Sequence, residues 1–516
     1  MHIAFAGNRA SSWDEADFAL AVERFDLLAM QPHFPGYPLF VFPAMLLNTL
    51  GYSPVSSLSF LSGLCGACSA VLLYLLVKRL AAKHCSIGLA VFCAVLFSLH
   101  PALFLTSIQP MSDAAGLMLA LLMLWIAAFA VGETRERTLF AVLLLGIVCG
   151  GLLLGVRLSY FPLLSVLFFV LAKWLRCRAP ARLKLLKLGA ALFIGIGSIA
   201  LWLLPMARTE GGLVQYFALG KAFTEGHFAE WGNTLAEQAQ ALPAIILWLK
   251  KQWVEVGIGG GYIAANFPRM TEYPFAWLHG IAAAAAVVVL LMAWLLPLFA
   301  PRARVRMFAK EANIVLALFA LPYFLWVLFG QNLGKWRHLL PLYVILIVAV
   351  AVLLFRLRRI GKPLALACML VFAILWAAQT AVTVAEFRAG QPVNRLSDYV
   401  REMSARQHVV IFTWEEKRVL DYEKSGAEAV MVKSWNVFAE SVRLRQGTAD
   451  KILVTNSVIN GFAPEVRKKL MPHLRLLRTW RTNPLLAPDY DNLVLYELKD
   501  HKDKLDCIGY NSDVCD

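Results

Sequence analysis

The sequence has few charged residues and lacks several motifs that mark soluble or ATP-driven proteins. Asp, Glu, Lys and Arg make up 16% of the 516 residues, hydrophobic residues make up 59%, and the mean hydropathy is +0.63. This composition excludes an ordinary soluble domain. Neither a Walker-type phosphate loop nor a His/Cys zinc spacing occurs, so ATP-driven transport is unsupported. Residues 1–10 also lack the basic region and apolar core of a cleavable signal peptide.

What the sequence has in abundance is long apolar runs. Runs of about 17 to 25 apolar residues are long enough to cross the roughly 30 Å hydrocarbon core of a bilayer. We therefore predict about ten membrane spans, at residues 57–79, 86–105, 112–131, 139–156, 158–175, 185–205, 276–297, 311–329, 339–355 and 363–383. The net charge of +15 does not indicate nucleic acid binding, because much of it lies in short loops between these runs.

The distribution of lysine and arginine predicts the orientation of the spans. Basic clusters follow alternate runs, for example at residues 176–187, 302–310 and 356–362. By the positive-inside rule these loops face the cytoplasm. The acidic N-terminal segment, the long loop 206–275, the 330–338 loop and the C-terminal tail then share the opposite side.

The N-terminal segment concentrates carboxylates beside the membrane. Asp14, Glu15 and Asp17 lie within four residues, and Ser12 followed by Glu15 has the spacing of a capping box, which predicts a helix from Trp13. The capping role of Glu15 is as well supported as a chemical one. An acidic cluster at a helix N-terminus can also serve only to complement the helix dipole.

A proline-aromatic segment, residues 31–38, follows and includes His33. Its prolines end the first helix, and residues 39–50 form an apolar stretch too short to span, which predicts an interfacial helix. Loop 206–275 carries aromatic residues and glycines, which indicates partly buried or interfacial structure.

After about residue 384 the composition changes to that of a small α/β domain. Short strands are predicted at 408–413, 429–432, 451–455 and 492–496, with helical segments around 393–405, 414–425, 436–445 and 463–474. We therefore predict an α-helical polytopic membrane protein with a small C-terminal extracytoplasmic α/β domain. Its regions are an external acidic segment with interfacial helices (1–56), a transmembrane domain (57–383) and the α/β domain (384–516).

The order of the motifs resembles the GT-C superfamily of integral-membrane glycosyltransferases, including protein O-mannosyltransferases and lipid A aminoarabinose transferases. Asp14-Glu15 is similar to the Asp-Glu pair of their first external loop, and residues 31–39 are similar to a His-Pro-Pro-Gly-Tyr-Pro-Leu-Tyr segment. Further marks are Ser112-Asp113, Gly155–Tyr160 and Lys335–Pro341. One departure is that family members have a transmembrane helix before the acidic loop, whereas residues 1–12 are too short to span. Either the chain starts late or the protein lacks that helix.

The resemblance implies a polyprenyl-phosphate sugar donor, inversion at the anomeric carbon and a carboxylate base. Asp14 is the first choice for that base and Glu15 the second. Asp17 is a candidate for acceptor or metal binding. A divalent cation is compatible with this cluster and with His33, but the sequence does not require one, and histidines in long loops are usually surface residues.

The membrane region contributes a second set of candidates. Asp113 begins an apolar helix, where it could contact the acceptor or a metal, or simply complement the helix dipole. Arg157 lies almost within apolar sequence and needs a counter-ion or a cavity, so it either pairs with an acid or binds phosphate. Lys335, Arg337 and His338 form a compact cationic group suited to a donor phosphate or, alternatively, to anchoring at lipid headgroups.

Other classes of protein stay open. A transporter or flippase for lipid-linked sugars would share the spans and cations, but mid-span carboxylates would be expected and are scarce. An oligosaccharyltransferase-type enzyme would be expected to carry a Trp-Trp-Asp motif, which is absent. A structural or sensor protein would not need the clustered acids. The partners expected for the transferase are the lipid bilayer, a lipid-linked sugar, and a glycan, lipid or protein acceptor, in a bacterial inner membrane.

Overall fold

The computed structural model describes residues 2–81, 86–238, 240–259, 288–291, 294–295, 308–432, 434–445, 447–483, 485–486 and 491–499. The chain divides into two compact units. The first comprises Met1–Asn8 with Ala21–Val384, and the second comprises Arg9–Leu20 with Ala385–Asp516. Residues 1–56, which the sequence predicts as one region, are divided between them.

Helices dominate the described part of the chain up to residue 388. They are α1 (Trp13–Glu23), α2 (Pro38–Thr49), α3 (Pro54–Leu80), α4 (Ser86–Leu99), α5 (Pro101–Thr106), α6 (Asp113–Ala128), α7 (Glu136–Val156), α8 (Val166–Arg176), α9 (Ala181–Thr209), α10 (Leu213–Gly226), α11 (Ala241–Trp248), α12 (Lys310–Gly330), α13 (Leu340–Arg356) and α14 (Lys362–Arg388). Short 3-10 or π segments at His2–Phe5, Leu158–Ser165, His227–Trp231, Leu235–Glu237, Leu249–Ile258, Trp336–Leu339 and Leu357–Arg359 join or extend them.

Seven helical segments in the described residues are long and apolar enough to cross a membrane. They are Pro54–Leu80, Glu136–Val156, Leu158–Arg176, Ala181–Thr209, Lys310–Gly330, Trp336–Arg359 and Lys362–Ser404. Each coincides with a predicted span. The helical, polytopic architecture is therefore confirmed, whereas the number of spans stays a prediction.

Three predicted spans have a different outcome. The span 86–105 is wrong as one helix, because His100 separates α4 from α5 and Pro101 lacks the amide hydrogen that would continue α4. The span 112–131 corresponds to α6, which has only 16 residues. The span 276–297 lies almost entirely outside the described residues.

The predicted interfacial elements are helical. The helix predicted from Trp13 is α1, and the stretch 39–50 is α2. The described part of loop 206–275 contains α10, α11 and the π segment Leu249–Ile258, so it is ordered helical structure. Tyr216 of α10 donates a hydrogen bond to the Pro35 carbonyl (3.1 Å), which joins this loop to the proline-aromatic segment.

The second unit contains a five-stranded mixed sheet. Its strands are β1 (Val409–Thr413), β2 (Glu428–Met431), β3 (Lys451–Thr455), β4 (Leu474–Arg481) and β5 (Asn492–Leu498), in the order β2-β1-β3-β5-β4. β1 pairs in parallel with β2 and β3, and β5 pairs antiparallel with β3 and β4. The helices of this unit are α15 (Pro392–Ser404), α16 (Glu416–Tyr422), α17 (Trp435–Arg445), α18 (Asn456–Asn460) and α19 (Pro464–Leu470). The predicted small α/β domain is confirmed.

Alternate residues of the central strands supply two cores, one on each face of the sheet. Val410 and Phe412 of β1 pack on one face, and Val409 and Ile411 pack on the other. This burial on both faces explains why β1 reads as a continuous apolar run. Strand β4 is missing from the sequence prediction, because exposed arginines occupy much of this edge strand. The helix predicted to reach residue 474 ends at Leu470 and is followed by a 3-10 turn that contains Pro472.

Candidate functional site

The three N-terminal carboxylates lie on one short helix and have different environments. Ser12 Oγ accepts the Glu15 amide hydrogen (3.3 Å), as the capping box predicts. The buried Glu15 carboxylate accepts the amide of Ser11 (2.7 Å) instead of that of Ser12, so the reciprocal bond is displaced by one residue. Glu15 therefore caps its own helix. Asp14 is half-buried on the first turn.

Asp17 lies within the second unit, where it is fully buried. Its Oδ1 accepts a hydrogen bond from Nε of Arg418 on α16, at 2.6 Å. The Arg418 guanidinium also lies 5.7 Å from the ring centroid of Trp13. Asp17 is thus an ion-pair partner inside the second unit.

The first unit contains a buried ion pair between Asp113 and Arg157. Arg157 Nη2 lies 2.8 Å from Asp113 Oδ1, and the two side chains are 7% and 1% exposed. Arg157 Nη1 also donates to Ser112 Oγ (3.3 Å). The first of the two alternatives for Arg157, pairing with an acid, is what the structure shows. Among the described residues, Nε of Arg157 has no hydrogen-bond partner, so the guanidinium retains one buried donor.

Local backbone geometry brings these two residues together. Arg157 ends α7 and adopts an extended backbone conformation before the 3-10 segment Leu158–Ser165. Asp113 begins α6, and Gly116 lies one turn further along that helix. A Cβ at Gly116 would lie 3.0 Å from Cβ and 3.2 Å from Cδ of Arg157. The absent side chain therefore makes room for the arginine stem against α6.

Aromatic residues connect this pair to the predicted cationic group. The Arg157 guanidinium lies 5.4 Å from the Tyr160 ring centroid, and the rings of Tyr160 and Tyr323 meet edge to face at 5.3 Å. The Tyr323 hydroxyl donates to the backbone carbonyl of His338 (2.8 Å). A continuous contact path thus runs from Asp113 to the turn that carries His338.

Lys335, Arg337 and His338 lie on or next to the 3-10 turn Trp336–Leu339. Arg337 Nη1 lies 3.3 Å from Sδ of Met111, two residues before Asp113. Buried Gln252 donates to the carbonyls of Leu333 and Gly334 (2.9 and 3.1 Å), which fixes the loop before the turn. The turn that carries Lys335, Arg337 and His338, here called the cationic turn, is therefore held by contacts with Met111 and Gln252. It lies beside the N-terminus of α6.

His33 is part of the first unit. Its Nε2 lies 2.8 Å from the Tyr37 hydroxyl, and its ring stacks on Phe223 of α10 (centroids 6.0 Å apart). His227 Nε2 lies 3.2 Å from the carbonyl oxygen of Gly330. A metal-binding role for Asp17, Asp113 or His33 stays a prediction.

The first unit thus gathers Asp113, Arg157, Arg337 and His338 from three distant segments. Lys335 lies two residues before Arg337. The second unit contains Asp14, Glu15 and Asp17.

Sequence reasoning missed Tyr323 and Arg418. A tyrosine hydroxyl in an apolar run requires a buried partner, which was an available signal for Tyr323. Arg418 gives no such signal, because it lies among charged residues of an amphipathic helix.

Chemically, the two groups of residues have complementary capacities. Carboxylates can accept a proton from an attacking hydroxyl, and a guanidinium with a remaining donor can hold a phosphate oxygen in surroundings of low polarity. Each is consistent with group transfer from a phosphorylated donor.

Comparison with known families locates a match in the membrane region. Residues 26–182 match the family model described as the N-terminal domain of protein O-mannosyl-transferase TMEM260. This range includes His33, Asp113 and Arg157, whereas Asp14 precedes it and Arg337 follows it. No curated protein sequence matches the chain.

Three solved structures illustrate the fold-level similarity. The Archaeoglobus fulgidus oligosaccharyltransferase in complex with Zn and sulfate is 15% identical, with a TM-score of 0.47, and the match covers 87% of this chain and 64% of that chain. ArnT from Cupriavidus metallidurans in the apo state is 12% identical, with a TM-score of 0.43 and coverage of 96% and 95%. The arabinofuranosyltransferase AftD from Mycobacteria is 13% identical, with a TM-score of 0.38 and coverage of 96% and 40%.

The family match confirms the resemblance to GT-C glycosyltransferases that the sequence motifs indicate. The matched domain is named for protein O-mannosyl-transfer, and seven described helical segments are long and apolar enough to cross a membrane. The chain spans less than two thirds of the archaeal oligosaccharyltransferase.

Proposed function

We propose that this protein transfers a sugar from a polyprenyl-phosphate donor to an acceptor at the extracytoplasmic face of a bacterial inner membrane. The observation that carries the proposal is the match of residues 26–182 to a protein O-mannosyl-transferase domain. The buried Asp113–Arg157 pair lies within that range. A mannosyl donor is the first to test, and the acceptor is a glycan, a lipid or a protein.

In the proposed reaction, an acceptor hydroxyl attacks the anomeric carbon of the donor sugar. Its proton passes to the Asp14 carboxylate as the new glycosidic bond forms. The bond between the anomeric carbon and the phosphate oxygen breaks, and the lipid phosphate departs with the electron pair. Because attack and departure occur on opposite faces, the anomeric configuration inverts.

Asp14 is better suited to act as the general base than Glu15 or Asp17. Glu15 is buried, and its carboxylate accepts the Ser11 amide hydrogen bond that caps α1, an interaction that protonation would weaken. Asp17 is fully buried and ion-paired with Arg418. Asp14 is only half-buried on the first turn, so an acceptor hydroxyl could approach it.

Cations are required where the lipid phosphate accumulates negative charge. We assign this role to Arg337 with Lys335 and His338, and to the remaining Nε donor of Arg157. Asp113 orients Arg157 by occupying its Nη2 side. A divalent cation remains part of the hypothesis, and assays with and without EDTA would determine whether activity depends on one.

The experiment is a transfer assay with the full chain in nanodiscs. Radiolabelled polyprenyl-phosphate mannose is mixed with candidate acceptors, and a nucleotide mannose serves as the alternative donor. We expect label to move from the lipid donor to an acceptor and not from the nucleotide. Label that crosses proteoliposome membranes while it stays on the lipid would instead indicate a flippase and would overturn the proposal.

The predicted orientation has a separate test. Single cysteines at positions 229 and 450 should react with an impermeant thiol reagent from the extracytoplasmic side, because the positive-inside rule predicts that both lie opposite the basic loops. Labelling only from the cytoplasmic side would contradict the proposed face of the reaction.

A further inference from the structure

The segment that carries Asp14 packs as a part of the C-terminal α/β unit. Residues 9–20 form one compact unit with residues 385–516, although almost the whole membrane region separates them in sequence. Contacts inside this unit therefore help to place Asp14. Two anchors hold the segment, one on each side of Asp14.

The first anchor precedes the helix. Arg9 donates hydrogen bonds to Asp398 of α15 (2.7 Å) and to Glu423, just after α16 (2.7 Å). Ser11 Oγ donates to Asn394 Oδ1 and Asn394 Nδ2 donates to the Ala10 carbonyl, both at 2.7 Å. These bonds attach the chain to the surface of α15 before α1 begins.

The second anchor lies one turn after Asp14. Asp17 lies three positions after Asp14, so the two carboxylates share one side of α1. Asp17 is fully buried, and Arg418 holds it at 2.6 Å from the helix that follows β1. Because α16 packs on the sheet, this ion pair fixes α1 relative to the α/β domain.

We propose that Arg418 is a positioning residue, which through Asp17 sets the orientation of α1 and hence of the Asp14 carboxylate. The small α/β domain is then the platform that holds the base. This inference rests on the proposed role of Asp14 in sugar transfer. It also gives Asp17 a role distinct from binding the acceptor or a metal.

The need to place the Asp14 carboxylate accurately explains the expected size of the rate loss in the Arg418 variant. A displacement of about 1 Å at a reacting group can cost on the order of 100-fold in rate. Replacing Arg418 leaves Asp17 buried without this cation, so the first turns of α1 should shift or loosen. Donor binding uses residues of the other unit and should not change.

The test combines kinetics with hydrogen exchange on the full chain in nanodiscs. Arg418→Ala should lower kcat by about 10- to 100-fold and leave the donor KM within about twofold. Peptides that cover residues 9–20 should take up deuterium faster, while the strands of the sheet stay protected. Arg418→Lys, which keeps the charge but lacks the Nε donor, should lie between wild type and Arg418→Ala in both readouts.

Lys417→Ala is the matched control. It removes the neighbouring cation and its exposed ion pair with Asp421 (2.6 Å), so kcat and the exchange of residues 9–20 should stay at wild-type values. Wild-type exchange in residues 9–20 of Arg418→Ala would overturn the inference, whatever the kcat. If Arg418→Ala does not fold, Arg418→Lys decides by the same criteria.

Asp14→Asn measured in parallel separates this inference from the proposed function. If Asp14→Asn retains wild-type turnover, the role of Asp14 as base fails. The exchange data then still show whether Arg418 anchors α1. If Asp14→Asn is inactive but Arg418→Ala is fully active with unchanged exchange, only the positioning role fails.

Discussion

Each of the two units contains a buried ion pair between an aspartate and an arginine. Asp113 and Arg157 approach to 2.8 Å in the first unit, and Asp17 and Arg418 approach to 2.6 Å in the second. Both aspartates are almost completely buried. The first pair joins the start of α6 to the residue that follows α7, whereas the second joins positions 401 residues apart in sequence.

The surroundings of the two pairs differ in a way that affects what each can do. Asp113 and Arg157 are both buried, so their charges are costly to desolvate, and Nε of Arg157 is a buried donor without a partner among the described residues. Arg418 is 20% exposed and contacts the Trp13 ring, so its positive charge is partly solvated. We therefore connect the first pair with ligand binding and the second with holding a helix.

Breaking the first pair should have the larger effect on stability. Asp113→Ala leaves the Arg157 guanidinium buried without its counter-ion, which typically costs about 3–5 kcal/mol. Thermal and denaturant unfolding of the purified protein in detergent measures this loss of stability. The double variant Asp113→Asn with Arg157→Met removes both charges and should regain most of the stability, yet its donor KM should remain raised.

A double variant with wild-type donor KM would limit Arg157 to a structural pairing. Lys173→Ala is a suitable control. Its ion pair with Glu311 (2.8 Å) lies in the same unit, but Glu311 is 40% exposed, so the loss should be below about 1 kcal/mol.

The cationic turn beside the first pair provides the next largest effect. A charge-assisted contact is worth about 1.5–3 kcal/mol, so Arg337→Ala should raise the donor KM by about tenfold or more. Arg359→Ala, which removes an exposed arginine from a basic loop, should leave the donor KM unchanged. Equal donor titration curves for Arg337→Ala and wild type would exclude Arg337 from the phosphate site.

The sequence could predict most of the fold because the signals were strong. Apolar runs located the seven spanning helical segments, and buried Val and Ile runs located β1 and β3. The prediction missed the break at His100, because the apolar run continues on both sides of it, although Pro101 was an available signal. The sequence could not predict β4, since an exposed edge strand lacks the apolar alternation of a buried one.

For the candidate site, prediction succeeded where a charged residue lies in an apolar stretch of sequence. Arg157 stands out because an arginine in apolar sequence needs a partner, and the structure supplies Asp113. Arg418 could not be found this way, because a charged residue on an amphipathic helix is ordinary. The grouping of residues 9–20 with the C-terminal unit depends on long-range contacts that no local pattern encodes.

The ion pair of half-buried Arg9 with Asp398 should show the smallest effect, and one that depends on pH. Hydrogen bonds from Arg9 hold the pKa of Asp398 below its ordinary value. Such a group adds stability above its unfolded-state pKa of about 3.9 and loses it as the pH falls through the lower folded-state pKa.

Because Asp398 is 45% exposed and Arg9 31% exposed, loss of this ion pair should contribute no more than about 1 kcal/mol to the effect of Arg9→Ala at pH 7. Melting temperatures of wild type and variant, measured between pH 7 and pH 3, should converge below about pH 4. A difference that stays constant to pH 3 would show that this ion pair does not contribute.

The central claim is that Asp14 accepts the acceptor proton, and a single-turnover comparison tests it most directly. Asp14→Asn is nearly isosteric, so the variant should fold and bind donor like wild type while its transfer rate falls by about 100- to 10,000-fold. Glu15→Gln should transfer at close to the wild-type rate with a lower melting temperature, because Glu15 caps α1. A folded Asp14→Asn protein that transfers sugar at the wild-type rate would contradict the account, and Asp113 would become the leading candidate for the base.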